Sequence, residues 1–454
     1  MKTMKIIYWT LSLFMIMQAS MAQSETGLVI STWVLLGTEG EVIARAVTAG
    51  SKCPSIVLDA ISQPMQVRAE PSTDYPVLVC ESVIPLGVAS AEIEGRLLPL
   101  PKPSPKRIVA FGDAGCRIKP PENVVQDCND PNAWPAEKVS KTAASEKPDL
   151  VVHVGDILYR ERQCPPGDSS KCGNSPTGYN WDTFNADFFI PQAELLRASP
   201  WILTRGDHET CKRAGSGWFL FFDPRPMPGE CLDFTDPYTI QAGDLQIQVF
   251  DSSMAQDTSP PPPDSTVVNI YSAQLAALRT VTSNNAWFLT HKPLWGIVED
   301  GNQLVNLSIA MQTASNNNFP NGIKLILTGH IHTFETLRFD VPRPRQVIVG
   351  TGGTELDPPI TMTVAGTTVA EAKVTGFETV DRFGYLLFER KRNNWKASFR
   401  NEAGETLTSF SVPEGGGEGC SVVKSNSPTS ILLYLLIPLG ILVKRLWKIG
   451  RVKS

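Results

Sequence analysis

The chain has 454 residues, 42% of them hydrophobic and 19% charged, with a formal net charge of −5. That length allows two or three domains around a substantial core. The mild acidic balance leaves no basic footprint and gives no case for nucleic-acid binding.

Residues 1–22 carry Lys2 and Lys5, an apolar run over 6–17, and then Ser20-Met21-Ala22. This is the pattern of a secretory signal peptide cut after Ala22, and the apolar run is short for a membrane span. Short strand-like runs at 27–36, 41–47, 56–58, 76–79 and 92–98 predict a small all-β, sandwich-like domain over residues 23–100, with no evident chemistry. A stiff Pro-rich linker at 101–105 leads into a larger domain over 106–412. There, strand-like runs alternate with helix-like stretches at 136–146, 185–198 and 272–282, which reads as α/β. Further strands at 245–250, 345–349, 384–389 and 395–400 suffice for two sheets. Residues 259–264 include four consecutive prolines and read as an exposed loop.

Eight of the nine cysteines lie in this body, as expected of disulfides in an oxidising compartment. Pairing sequence neighbours gives Cys53–Cys80, Cys116–Cys128, Cys164–Cys172 and Cys211–Cys231, although sequence alone leaves other connectivities open. The ninth, Cys420, sits in a Gly/Ser-rich linker over 413–428. Residues 429–454 follow, with an apolar run at 431–443 and then Lys444, Arg445, Lys448, Arg451 and Lys453. As a helix that run would reach only about 20 Å, against a hydrocarbon thickness of about 30 Å. The arrangement resembles the C-terminal sorting signals of exported bacterial proteins. It implies a chain exported to the cell envelope or surface, membrane-attached through this segment or released by a sorting protease acting at Cys420. A plain, short tail anchor is the other reading.

Five motifs follow five apolar runs. They are Gly112-Asp113-Ala114-Gly115 after 107–111, Gly155-Asp156-Ile157-Leu158-Tyr159 after 150–154, Gly206-Asp207-His208-Glu209 after 201–204, Thr290-His291 after 286–289, and Gly329-His330-Ile331-His332 after 323–328. In an open, largely parallel sheet the carboxyl ends of the strands gather at one edge, where ligands bind. The chain has five histidines, and each lies in or beside one of these motifs. Converging carboxylate, imidazole and phenolate groups suit a two-metal centre better than a single structural zinc.

Taken together, and over residues 107–353, the motifs resemble the metallophosphoesterase superfamily and most closely its purple acid phosphatases. The resemblance implies an αββα four-layer sandwich with metals at the sheet edge, preceded here by the small β domain. It implies a first cation, ferric iron, held by Asp113, Asp156, Tyr159 and His332. A divalent partner (Fe2+, Zn2+ or Mn2+) would be held by Asp156, Asp207, His291 and His330. Tyr159 is the discriminating member, since phenolate is a hard donor suited to a trivalent ion. His208 would face the substrate phosphate and protonate the leaving group, with Glu209 orienting it. His153 would supply a supporting hydrogen bond or fill a buried structural place. The implied reaction is hydrolysis of a small phosphorylated substrate, most simply a phosphomonoester, by a metal-bound hydroxide.

The chain departs from the family pattern in places. Asp207 stands where the third motif usually has Asn, adding a negative charge at the second cation; Phe288 replaces a usual Val. The segment directly after His291, residues 292–299, carries no further His, so substrate preference cannot be carried over. Lys292 and Trp295 either line the pocket or serve packing and surface charge. A phosphodiesterase or nucleotidase on the same site is the enzymatic alternative. A surface binding module with a structural or degenerate metal site is the non-enzymatic one.

Overall fold

Strands that are apolar on both faces set the architecture. The computed structural model describes residues 29–257, 262–316, 318–392 and 394–414. The expected signal peptide and the Cys420 sorting segment lie outside the described residues. Among the described residues, no helix is long and apolar enough to cross a membrane.

Two large sheets pack face to face. The first has ten strands in the order Thr406–Pro413, Asn394–Asn401, Gly384–Lys391, Arg107–Phe111, Leu150–His153, Trp201–Leu203, Val29–Leu36, Val42–Thr48, Leu78–Ile84, Gln66–Ala69. Its central run Arg107–Phe111, Leu150–His153 and Trp201–Leu203 is parallel. The second has eight strands, with Leu245–Val249, Ala286–Leu289, Ile323–Thr328 and Arg345–Val349 parallel at its centre. Alternation along each strand shows why the runs are apolar throughout. Ile108 and Ala110 face the second sheet, meeting a core with Ile247, Trp287, Leu325 and Val347. Val109 and Phe111 point the other way, toward Val139 and Ala143 of the helix Ala136–Ser145 and Leu195 of Ala193–Ala198. On the far side of the second sheet, Phe288 and Ile326 meet Tyr271 and Leu275 of Ser265–Arg279 and Met311 of Ile309–Ser315. Helices therefore cover both outer faces, giving the αββα sandwich.

The N-terminal region departs from the expected separate unit. It does supply two β layers, but its strands continue the first sheet, Val29–Leu36 lying parallel beside Trp201–Leu203 through Leu35 and Trp201. A four-stranded sheet, Ile61–Pro64, Ser55–Leu58, Ala91–Ile93 and Arg96–Leu97, covers the inner face of this extension with Ile56 and Ile93. Two guanidiniums from these strands reach across. Arg68 donates to the Phe219 and Leu220 carbonyls, and Arg45 to that of Phe221, at the end of the helix Gly215–Phe221. Cations at helix C-termini satisfy orphan carbonyls and complement the dipole. The N-terminal strands thus anchor the helix that follows the Gly206-Asp207-His208 turn. All four disulfides pair as sequence neighbours.

A fragment beginning at residue 106 is therefore expected to lose the sheet neighbour of Trp201–Leu203 and to be insoluble or loosely packed, whereas residues 29–414 fold. Near-ultraviolet circular dichroism of the two, side by side, checks this, and a native-like spectrum from the shorter one would show an autonomous catalytic unit.

Candidate metal centre

The carboxyl ends of the parallel strands from both sheets meet at one edge, and every motif turn lies there. Asp113, Asp156 and His330 sit in the left-handed backbone region, with φ of 55°, 53° and 74°. Such strain in non-glycine residues costs of order 1–3 kcal/mol each and persists only where surroundings enforce it. Here the turns enforce one another: the amide of Asp113 donates to the Gly155 carbonyl, and that of His208 to Asp156 Oδ1. The amide of His330 donates to Asp113. Neighbouring glycines make room, since a Cβ on Gly206 would fall 2.0 Å from Asp156 Oδ1 and one on Gly329 2.3 Å from Asp113 Oδ2.

Two donor groups share Asp156. In the first, the Tyr159 hydroxyl lies 2.9 Å from Asp113 Oδ1, 2.9 Å from Asp156 Oδ2 and 3.0 Å from His332 Nε2. In the second, Asp156, Asp207, His291 and His330 each offer an atom within 4.8 Å of the others. The ring nitrogens are pre-aimed. His291 Nδ1 lies 2.8 Å from the Val154 carbonyl and His332 Nδ1 2.9 Å from that of Glu355, so each donates there and turns Nε2 to the carboxylates. His291 Nε2 and Asp207 Oδ1 are buried 3.4 Å apart, and neither makes a well-directed hydrogen bond. Donors left unsatisfied around a common point are what a cation position requires.

Burial and mutual charge drive the protonation of these groups apart. Burial pushes the Asp113 carboxyl up to about 7, against the pull of His291. Burial also opposes ionisation of Asp156, but His291 and His208 outweigh it and hold this carboxyl below the usual range. At Asp207 burial is likewise overcome, chiefly by Lys292 and the His291 and His330 rings. His332 is pushed down to about 4 by burial.

The structure corrects one expected role. Glu209 does not orient His208; its carboxylate accepts from the amides of Ile157, Leu158 and Gly206 and so clamps the Asp156 turn. His208 Nδ1 lies 2.8 Å from the Leu158 carbonyl and 3.3 Å from Glu161, while the His208 ring sits tilted with its centroid 4.1 Å from that of Tyr159. His153 is fully buried among Phe111, Phe188 and Trp201, and its Nδ1 accepts from the Gly155 amide. It supports the turn from behind and faces no substrate.

Several residues at the edge escaped the sequence reading. Asp187 accepts from Cys116 N, Tyr159 N and Arg160 Nε, tying the Asp113 loop to the Tyr159 loop. Arg213 donates to Asp207 Oδ2 at 2.9 Å and to Glu161. Lys292 is buried at the site beside Asp257, whereas Trp295 packs against Phe339 and Arg343. Asp257 had a legible signal, since it follows a sixth parallel strand ending at the same edge, Leu245–Val249; Asp187 and Arg213 had none.

The sandwich and its converging carboxylates and imidazoles define the class as a phosphoesterase built for cations. Residues 106–334 match the calcineurin-like phosphoesterase family, and the chain belongs to it as a metal-dependent phosphoester hydrolase. Similar solved structures include the purple acid phosphatase PPD1 from yellow lupin (Lupinus luteus) seeds, with 14% identity, a TM-score of 0.56, and 85% of this chain and 74% of that one covered. PhoD is also similar, with 14% identity, a TM-score of 0.52, and coverage of 89% and 93%. A search of curated protein sequences finds no match.

Removing the Asp187 carboxylate strands the Arg160 guanidinium it pairs with, so Asp187→Ala should cost about 3–5 kcal/mol, read as a lower thermal midpoint. A second expectation concerns Glu335, which is fully buried beneath the loop after His291, with one oxygen accepting from Ile297 N and the other unpartnered. Burial pushes its carboxyl up to about 8. The folded state then binds the proton more tightly than the unfolded one, so stability falls as pH rises from the ordinary carboxylate range toward 8. Glu335→Gln should match the native chain in mild acid and be more heat-stable near pH 8; equal midpoints at both would contradict this.

Proposed function

We propose that the chain is an exported phosphomonoesterase with a two-cation centre. Asp113, Asp156, Tyr159 and His332 would hold the first cation, a ferric ion, and Asp156, Asp207, His291 and His330 the second, a divalent one. The observation that carries this reading is the Tyr159 hydroxyl, which lies about equally far from Asp113, Asp156 and His332. A phenol so placed, with burial and two carboxylates pushing its pKa up, is costly to ionise unless a strong cation takes the oxygen. When bound, two cations lower the pKa of water and neutralise charge on a phosphoryl group.

The protein's own groups supply the rest. Asp156 joins the two donor sets, so one carboxylate serves both. His208 keeps its ring between Glu161 and Asp156, and these carboxylates outweigh burial and raise its pKa. It is therefore suited to carry the proton for a leaving alkoxide. Arg213 and Glu161 form its outer wall. The four disulfides support an oxidising, extracellular setting. Attachment through residues 429–454, with processing at Cys420, belongs to the same proposal. Cleavage of diesters or nucleotides is the second reading, since pocket shape rather than the donor set separates these reactions.

Metal analysis with a visible spectrum tests the core. The expected result is two metals per chain, a tyrosinate-to-iron band that disappears in Tyr159→Phe, and faster turnover of p-nitrophenyl phosphate than of its bis-ester. A colourless protein with one metal or none would sink the reading; preference for the bis-ester would select the diesterase.

A further inference from the structure

The second donor set contains a closed ring of charges that the motif pattern does not contain. The His330 imidazole stands between two carboxylates, with Nδ1 3.0 Å from Asp207 Oδ1 and Nε2 3.0 Å from Asp257 Oδ1. Asp257 Oδ2 accepts from Lys292 Nζ at 2.8 Å, and the same ammonium lies 3.9 Å from Asp207 Oδ1, closing the ring. Lys292 is almost fully buried and Asp257 half-buried, its side chain 31% exposed. Asp257 Oδ1 is itself buried and, among the described residues, has no directed hydrogen bond, so the 3.0 Å approach of the His330 ring is its charge partner.

This ring has two physical consequences. His330 lies in a strained turn, at φ 74°, and among the described residues its ring makes no hydrogen bond to backbone of the kind that aims His291 and His332. Asp257 takes that part, because a carboxylate at Nε2 favours the tautomer protonated there and leaves the Nδ1 lone pair facing Asp207. Lys292 acts in the opposite sense. Asp207 carries a full negative charge, and the nearby ammonium offsets part of it, as Arg213 does on the other oxygen. A fixed cation this close reduces the attraction of the position for a mobile one.

We propose that Asp257 is the positioning residue of the second cation site, fixing the His330 ring toward Asp207, and that Lys292 weakens that site by holding charge against both carboxylates. The inference rests on the two-cation reading above and deepens it.

Calorimetric titration of the chelator-stripped full chain with Mn2+ tests it. Wild type is expected to bind two ions in distinguishable events. Asp257→Ala should weaken the second by about 10–100-fold and leave the first unchanged. Lys292→Met should strengthen the second event by about tenfold or more. The metal-free unfolding midpoint of Asp257→Ala should stay near wild type, because the side chain is partly exposed, so the shift would not reflect a misfolded site. Opposite signs from two neighbouring substitutions are what a merely structural role would not produce. Two binding events with unchanged affinities in both variants would overturn this inference alone, as would weakening by both. A wild-type chain that binds fewer than two ions would overturn the two-cation reading and this inference with it.

Discussion

Like charges cannot be gathered inside a protein without something to hold them. Asp113 and Asp156, both buried, and Asp207, partly exposed, converge at one sheet edge, and their repulsion is the constraint the rest of the edge answers. Each has its own compensation. Asp113 receives the Tyr159 hydroxyl and the His330 amide; Asp156 receives the His208 amide and faces His291; Asp207 is ringed by Arg213, Lys292 and His330. The turns that place these groups are strained, and that strain is tolerated because the surrounding amides are already committed to the carboxylates.

Carboxylates also serve a second purpose here, unrelated to any ligand. Glu209 and Asp187 are buried and spend their oxygens on backbone amides and one guanidinium, splinting loops that would otherwise have unsatisfied N–H groups. Glu335 and Gln346 do the same for the loop after His291, accepting from Ile297 N and from Leu294 N and Trp295 N. Asp207, aimed at a common point, and Glu209, aimed at backbone, stand two residues apart in sequence. Only their partners tell them apart.

That explains what could be read in advance. Strand-end motifs, the confinement of all five histidines to them and the neighbour pairing of the cysteines were legible because each is a local pattern. The sandwich was legible because apolar runs alternated with helix-like stretches. The work of Glu209 was not, since a residue beside His208 gives no sign of whether it faces the imidazole or an amide fifty residues earlier. The attachment of the N-terminal strands was half legible. Val42-Ile43-Ala44-Arg45-Ala46-Val47 is apolar on both faces but for Arg45, as a strand covered on both sides tends to be, and a small independent sandwich would show a polar face. Nothing local, however, announces that Leu35 pairs with Trp201 across the intervening chain.

Three of the four cystine links among the described residues, Cys116–Cys128, Cys164–Cys172 and Cys211–Cys231, lie in loops and one short helix rather than in the sheets. The sheets are held by apolar packing and strand pairing, which are indifferent to the state of the thiols. The rim is not. There the links themselves restrain chain segments around the metal centre that no strand ladder holds.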